Sequence, residues 1–322
     1  MKSVKFIVIV SLMFLIVYGI ADSSSVTLYI AALKGETVEG EWREYLEDYA
    51  KKNNIPAINP RIDKVWHLIP GYNGYVIDIE KTLELIKKDK PESKDEITLI
   101  WREIEPDNKI DEMGPHPIYR GNPEKPAVSF MINVAWGTEY LDSILKTLKK
   151  EQVKATFFLD GSWLTKNQEM VKRIVSEGHE IGNHAYSHPQ MSRLTDDKIE
   201  QEIIKTEQLI YQTTNQPSTY FAPPSGDYNQ RVVKKAYDIG LKTVLWTLDT
   251  VDWKKPPKEV IINRIISKVE NGYLILLHPT EPTAEALPAL IKEIKKKGLI
   301  ITPVKETLST KRILQVEQSN KF

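Results

Sequence analysis

At 322 residues, with 41% hydrophobic and 27% charged residues, the chain has globular composition and length for one large domain and a smaller one. Its 44 basic and 44 acidic side chains cancel, which excludes a net field steering it toward nucleic acid or anionic lipid, so its partner is recognised locally. With no cysteine, disulfides, thiolate zinc sites and cysteine nucleophiles are excluded, and any metal must be held by His, Asp or Glu.

Lys2 and Lys5 precede an unbroken apolar run from Phe6 to Val17, and Gly19-Ile20-Ala21 leads into polar Asp22 and Ser23. That layout predicts an export signal over 1–21, either cleaved after Ala21 or lengthened through Tyr18–Ile20 into a membrane anchor. The folded part is therefore expected outside the cytoplasm. From 22 to 120 the signals are those of a small α+β unit. Val26–Leu33 reads as a strand, and Glu41–Lys52 as a helix carrying Trp42, Tyr45 and Tyr49 at helical spacing. Pro70-Gly71 and Asn73-Gly74 mark tight turns, Thr82–Lys88 reads as a helix and Ile97–Trp101 as a strand.

Met113-Gly114-Pro115-His116-Pro117 and Gly121-Asn122-Pro123 break any helix and predict a domain boundary near 120–121. Beyond it, apolar strands near Ala127–Ile132, Ala155–Leu159, His179–Gly182, Thr219–Phe221, Thr243–Trp246, Gly272–Leu277 and Leu299–Thr302 alternate with helical segments such as Leu141–Glu151, Glu169–Glu177 and Asp196–Thr213. This alternation predicts an α/β fold over 121–310, a parallel sheet or barrel with right-handed crossovers, followed by a polar tail over 311–322. In such folds the chemistry lies at the C-terminal ends of the strands.

The polar residues of interest fall there. His184 and His188 follow one strand at i, i+4 spacing, so a single helical turn would let two imidazoles converge on a divalent metal; the alternative is two surface histidines. His278 ends a buried apolar strand and is placed as a general acid or base, or as a hydrogen-bonded core histidine. Trp246, Asp249, Asp252 and Trp253 follow another strand: an indole face stacks on a sugar ring, and a carboxylate can orient a histidine. Trp253 reads equally as loop packing. Phe221-Ala222-Pro223-Pro224-Ser225-Gly226 is a rigid turn at a strand end.

In order and spacing, G-H-E-I-G-N-H-A-Y-S-H, F-A-P-P-S-G, W-T-L-D-T-V-D-W, L-L-H-P and K-A-T-F-F-L-D-G-S-W resemble the motifs of the polysaccharide deacetylase (NodB homology) family from about Lys125 to Leu308. The opening S-F-M-I-N-V-A-W-G-T-E-Y-L is most similar to the sporulation-associated YlxY-type subgroup. The resemblance implies a NodB-type distorted (β/α) barrel preceded by the small α+β domain, and a metal-dependent hydrolysis of N-acetyl amide bonds in cell-wall aminoglycan, peptidoglycan or chitin-like. It implies His184 and His188 as metal ligands, His278 as the acid oriented by Asp252, and a pocket formed by Trp246, Pro223, Pro224 and Ser225. Gly71–Leu83 bears a short resemblance to the peptidoglycan-binding modules found beside cell-wall enzymes, which implies a wall-associated N-terminal unit.

Three positions depart from the family. The base falls on Asn133, the metal carboxylate on Val134 and the third-motif arginine on Ala222. An amide cannot take a proton from water, and valine cannot ligate a cation. Two imidazoles fall short of the three protein ligands of a catalytic zinc, so a zinc- or cobalt-like ion is expected to bind weakly or not at all unless Asp160 or Glu139 replaces the missing carboxylate. Two functions follow: an N-deacetylase with altered ligands, or a non-catalytic protein that binds or positions cell-wall glycan through the degenerate cleft.

Overall fold

The computed structural model describes residues 24–314. The expected export segment and most of the polar tail lie outside the described residues. Contacts divide the chain into two compact units, one formed by 24–56 with Tyr75–Ile104, the other by Ala57–Gly74 with 105–314.

The first unit is built on α1 (Ser24–Asn53). Val26–Leu33, expected as a strand, is the first part of this helix. Its apolar residues Val26, Tyr29, Ile30 and Leu33 stand at i, i+3, i+4 and i+7, and helix propagates cooperatively into the Glu41–Lys52 segment. The second unit contributes β1 (Arg61–Asp63) and β2 (His67–Ile69), an antiparallel pair whose turn is tied by Asp63 Oδ1 accepting from the amides of Val65 and Trp66, each at 2.8 Å. Returning to the first unit, β3 (Gly74–Ile77) precedes α2 (Ile79–Asp89), which is capped by Asp78. The strand expected over Ile97–Trp101 begins where that range ends, as β4 (Trp101–Ile104), pairing with β3. Just before it, the backbone of Ile100 bonds instead to Thr82 Oγ1 and to the amide of Asp78. Leu46, Leu83 and Ile86 form the core of this unit, with Trp42, Tyr45, Ile97 and Leu99 packed against it.

The larger unit follows the expected βα alternation: β5 (Ala127–Val134), α3 (Thr138–Lys150), β6 (Thr156–Leu159), α4 (Gly161–Lys166), α5 (Gln168–Ser176), β7 (Glu180–Asn183), α6 (Asp196–Thr214), β8 (Tyr220–Phe221), α7 (Gln230–Asp238), β9 (Lys242–Thr243), β10 (Leu248–Asp249), α8 (Lys258–Ile266), β11 (Leu274–Leu277), α9 (Glu281–Lys296), β12 (Ile300–Ile301) and α10 (Val304–Leu308). The strands are parallel in the order β10-β11-β5-β6-β7-β8-β9, with β12 added beside β5. This is the distorted (β/α) barrel. Residues 118–120 bridge the open side: Ile118 pairs with Val244, and Arg120 with Tyr273. The division between units therefore does not fall at the proline-rich stretch; residues 105–120 belong with the barrel because its backbone pairing uses them.

Strand parity sorts the side chains. Phe130, Ile132, Val134, Phe157, Leu159, Ile275 and Leu277 join the apolar layer between sheet and helices. Met131, Phe158, Leu274 and Ala222 fill the interior layer. Asn133, one step above Met131, and Leu276, one step above Leu274, reach the mouth of the interior. The C-terminal ends of the strands thus converge on one cleft.

Candidate functional site

The cleft is a cavity of about 410 Å³ lined by Asn133, Trp136, His184, His188, Ser225, Trp246, Asp249, Trp253 and His278, with Ala135 and Leu276. The structure thus brings together the two expected histidine motifs, the tryptophan of the fourth motif and the base position.

His184 is buried, and its Nδ1 lies 2.7 Å from the carbonyl of Ala222. Donation to that carbonyl fixes the tautomer and leaves Nε2 as the free lone pair. Burial pushes its pKa down to about 3, with His188 adding repulsion, so the ring is neutral at physiological pH. His188 is exposed, and its ring centre is 5.2 Å from that of His184. The connecting turn is not helical as expected: Ala185 and His188 adopt left-handed backbone, with φ of 58° and 56°. Glu202 of α6 holds it, accepting from the amides of Tyr186 and Ser187 and from the Ser187 hydroxyl, while Asn183 Oδ1 accepts from the amide of Ala185.

On the opposite side Asp252 is fully buried and every bond to it is short. Its Oδ1 is 2.8 Å from His278 Nδ1, and its Oδ2 accepts from the His278 amide at 2.6 Å and from Thr283 Oγ1 at 2.5 Å. The imidazole is thereby oriented with Nε2 left for other contacts. Trp136 stacks on the His278 ring at 5.9 Å and 7°. The stack depends on Gly137, whose φ is 77° and where a Cβ would stand 1.9 Å from the carbonyl oxygen of Pro279. Trp136 and Trp253 are each about half exposed, 45% and 49%, and line the cleft, with the Lys254 ammonium over the Trp253 ring at 4.8 Å.

Ser225 and Trp246 line the cleft, whereas Pro223 and Pro224 are buried behind it and shape the turn. Gly226 lets Trp246 pack close: a Cβ there would lie 2.8 Å from the indole. Asn133 is 3% exposed and its Oδ1 has no hydrogen-bond partner among the described residues. Val134 does not face the cleft. Strand alternation turns it into the sheet–helix layer, where it is fully buried. Ala222 is also fully buried, so a larger side chain there would displace the interior layer.

Neither candidate replacement carboxylate forms a metal-holding group with the histidines among the described residues, although Asp160 lies close enough to His188 to interact with it electrostatically and its Oδ2 has no hydrogen-bond partner there. Asp160 is buried as the N-cap of α4, accepting from Ser162 Oγ and the Trp163 amide, with burial holding its pKa above the ordinary carboxylate range. Glu139 is exposed on the first turn of α3. Among the described residues no group of three His, Asp or Glu side chains is arranged to hold a metal ion. A neutral, two-imidazole donor set does not fit a catalytic zinc site. Sequence reasoning missed Trp136, Thr283 and Glu202. Trp136, directly before a glycine at a strand end, carried a readable signal.

The fold, with its cleft at the C-terminal ends of the parallel strands, is that of the carbohydrate deacetylases. The pattern of the family described as Polysaccharide deacetylase matches residues 120–244. The chain is 43% identical to YlxY of Bacillus subtilis, over 98% of this chain and 99% of that one. It is 34% identical to a peptidoglycan-N-acetylglucosamine deacetylase of Bacillus cereus, over 53% of this chain and 83% of that one. Among solved structures, a Bacillus anthracis protein described as a CE4 family pseudoenzyme superposes with a TM-score of 0.76 at 42% identity, covering 84% of this chain and 96% of that one. The chain belongs to the polysaccharide deacetylase family.

Proposed function

We propose that this protein binds cell-wall aminoglycan in its deacetylase cleft outside the cytoplasm and hydrolyses it poorly or not at all. The observation that carries this is Asn133: the strand parity that delivers a base to the cleft delivers an amide, which cannot accept a proton from water at neutral pH. His184 and His188 remain as a weak pair for a divalent ion. Trp136, Trp246 and Trp253 supply faces for sugar rings, with Ser225 at the floor loop shaped by Pro223 and Pro224. The names of relatives that act on peptidoglycan support the choice of ligand. Export rests on the segment 1–21; among the described residues no helix is long and apolar enough to cross a membrane. A sporulation role rests on the YlxY-type resemblance.

A second reading, a weak deacetylase, is favoured by one feature: the His278–Asp252 pair is assembled as an acid would require. The two are separated by measuring acetate release from chitooligosaccharide and peptidoglycan, with and without zinc or cobalt, beside a binding isotherm for the same ligands. We expect binding without release. Metal-dependent release lost in His184→Ala would establish the enzyme instead.

A further inference from the structure

Acceptor atoms in the deacetylase cleft bear on which form of a glycan it takes. Asn133 Oδ1, on β5, is buried and has no partner among the described residues. His184, just after β7, donates from Nδ1 to the Ala222 carbonyl, so its Nε2 is left to accept. Asp249, on β10, accepts from the Val251 amide through Oδ1 at 2.7 Å, and its Oδ2 has no partner among the described residues. Three strand ends thus bring three acceptors to one cavity of about 410 Å³.

Charge points the same way. Asp249 is the only carboxylate among the residues lining the cleft, and no lysine or arginine lines it. The Lys254 ammonium, over the Trp253 ring, is not a lining group, and Ala222 supplies no guanidinium. An N-acetyl group offers one N–H and a carbonyl oxygen, and that oxygen would meet lone pairs with no lysine or arginine beside it. A free amine is an ammonium near neutral pH. It offers three N–H donors and a positive charge, and charge-assisted hydrogen bonds are roughly twice as strong as neutral ones. A buried acceptor without a donor is destabilising, so Asn133 Oδ1 favours the ligand whose donors reach it.

We infer that the cleft selects hexosamine units whose nitrogen is a free ammonium over units whose nitrogen is acetylated. Asn133 Oδ1 and His184 Nε2 accept from the ammonium, and Asp249 balances its charge. The inference rests on the reading that this cleft binds aminoglycan, and names the form bound. N-deacetylation is the class of reaction that supplies such a ligand, so the protein takes the product of an active deacetylase.

The test is calorimetric titration of the full chain, with EDTA present, against a glucosamine tetramer and an N-acetylglucosamine tetramer. The glucosamine tetramer should bind about tenfold more tightly and weaken as salt rises. Asp249→Asn keeps an oxygen for the Val251 amide and so keeps the turn, and Asn133→Leu replaces the acceptor by an apolar group of similar size. Each should weaken the glucosamine tetramer about fivefold and leave the acetylated one within about twofold, whereas a merely structural effect would weaken both. If neither tetramer binds, the aminoglycan reading fails and the inference with it. If the acetylated tetramer binds as tightly or more tightly, that reading stands and the inference is overturned. Selective binding of glucosamine that both variants leave unchanged would place the amine elsewhere on the protein and overturn it too.

Discussion

The two walls of the deacetylase cleft differ in how their polar atoms are used. On the β11 side, both carboxylate oxygens of Asp252 are engaged, by the ring and amide of His278 and by Thr283. On the β5 side, Asn133 presents a buried carbonyl oxygen with no partner among the described residues, and its neighbour Val134 faces away. The difference separates the polar groups that the fold itself needs from those it does not. Asp252 anchors a strand end and the start of α9 whether or not a proton moves through His278. An aspartate at 133 would have no such structural role, and without a metal or an arginine it would be an uncompensated buried charge.

The comparison breaks most visibly at Asp252. Asp252→Ala removes three hydrogen bonds and leaves the His278 amide and Thr283 hydroxyl unsatisfied in a buried place, so it should cost about 4 kcal/mol in urea unfolding. Asp252→Asn should cost less, since the amide oxygen can still accept. If Asp252→Ala unfolds like the natural protein, the pair is retained for chemistry and not for structure.

Next comes Val134→Asp. Strand parity places this side chain in the apolar layer, so the lone substitution should destabilise by about 3 kcal/mol or more. Combined with Asn133→Asp and Ala222→Arg, part of that loss should return on adding zinc if the strand end turns so that the new carboxylate leaves the apolar layer and meets His184 and His188, because an ion that binds only the folded state stabilises it. A zinc-dependent rise in the unfolding midpoint of the triple variant, absent from Val134→Asp alone, is the expected result.

Val134 also shows where sequence reading stops. The barrel was legible because its strands are short apolar runs separated by amphipathic helices, and His278 and Asp252 because each follows such a run. Consecutive residues of a strand point to opposite faces, however, so aligning Asn133 and Val134 to an acidic pair said nothing of where each side chain lies. Glu202 was illegible for another reason: it braces the histidine turn from a helix 15 residues away in sequence. Val26–Leu33 was misread because a continuous apolar run also satisfies helical spacing.

A smaller effect comes from the opposite, N-terminal end of the strands. Burial lowers the His179 pKa to about 4, with Lys154 adding to the shift and Glu177 opposing it. The unfolded chain protonates this residue near 6.5 and the folded chain near 4, so the unfolded state binds more protons in between. Stability attributable to His179 is therefore complete above about pH 6.5 and falls by up to about 3 kcal/mol as pH drops to about 4. Glu180 and Asp160, whose pKa values burial raises, act in the opposite sense and will shallow the lower part of the slope. In His179→Gln the loss between pH 6.5 and 5 should be clearly reduced; an unchanged slope would assign it to other groups.

The smallest effect is expected where the family resemblance would place the largest. Asn133→Asp restores the residue type of the base, and general-base catalysis contributes about two to four orders of magnitude where it operates. Here it would act without a partner. Among the described residues no third ligand completes the pair His184 and His188, and Ala222 offers no positive charge to hold a carboxylate at 133 in its ionised form. Burial would raise the new carboxyl's pKa, so at neutral pH it would be partly protonated and unable to accept a proton from water. The single variant should release acetate from chitooligosaccharide at the rate of the natural protein, within about threefold, and lose about 1 kcal/mol of stability at pH 7. A gain of a hundredfold from this one substitution would show that the β5 wall lacks a base and nothing else, and that the rest of the cleft is already competent.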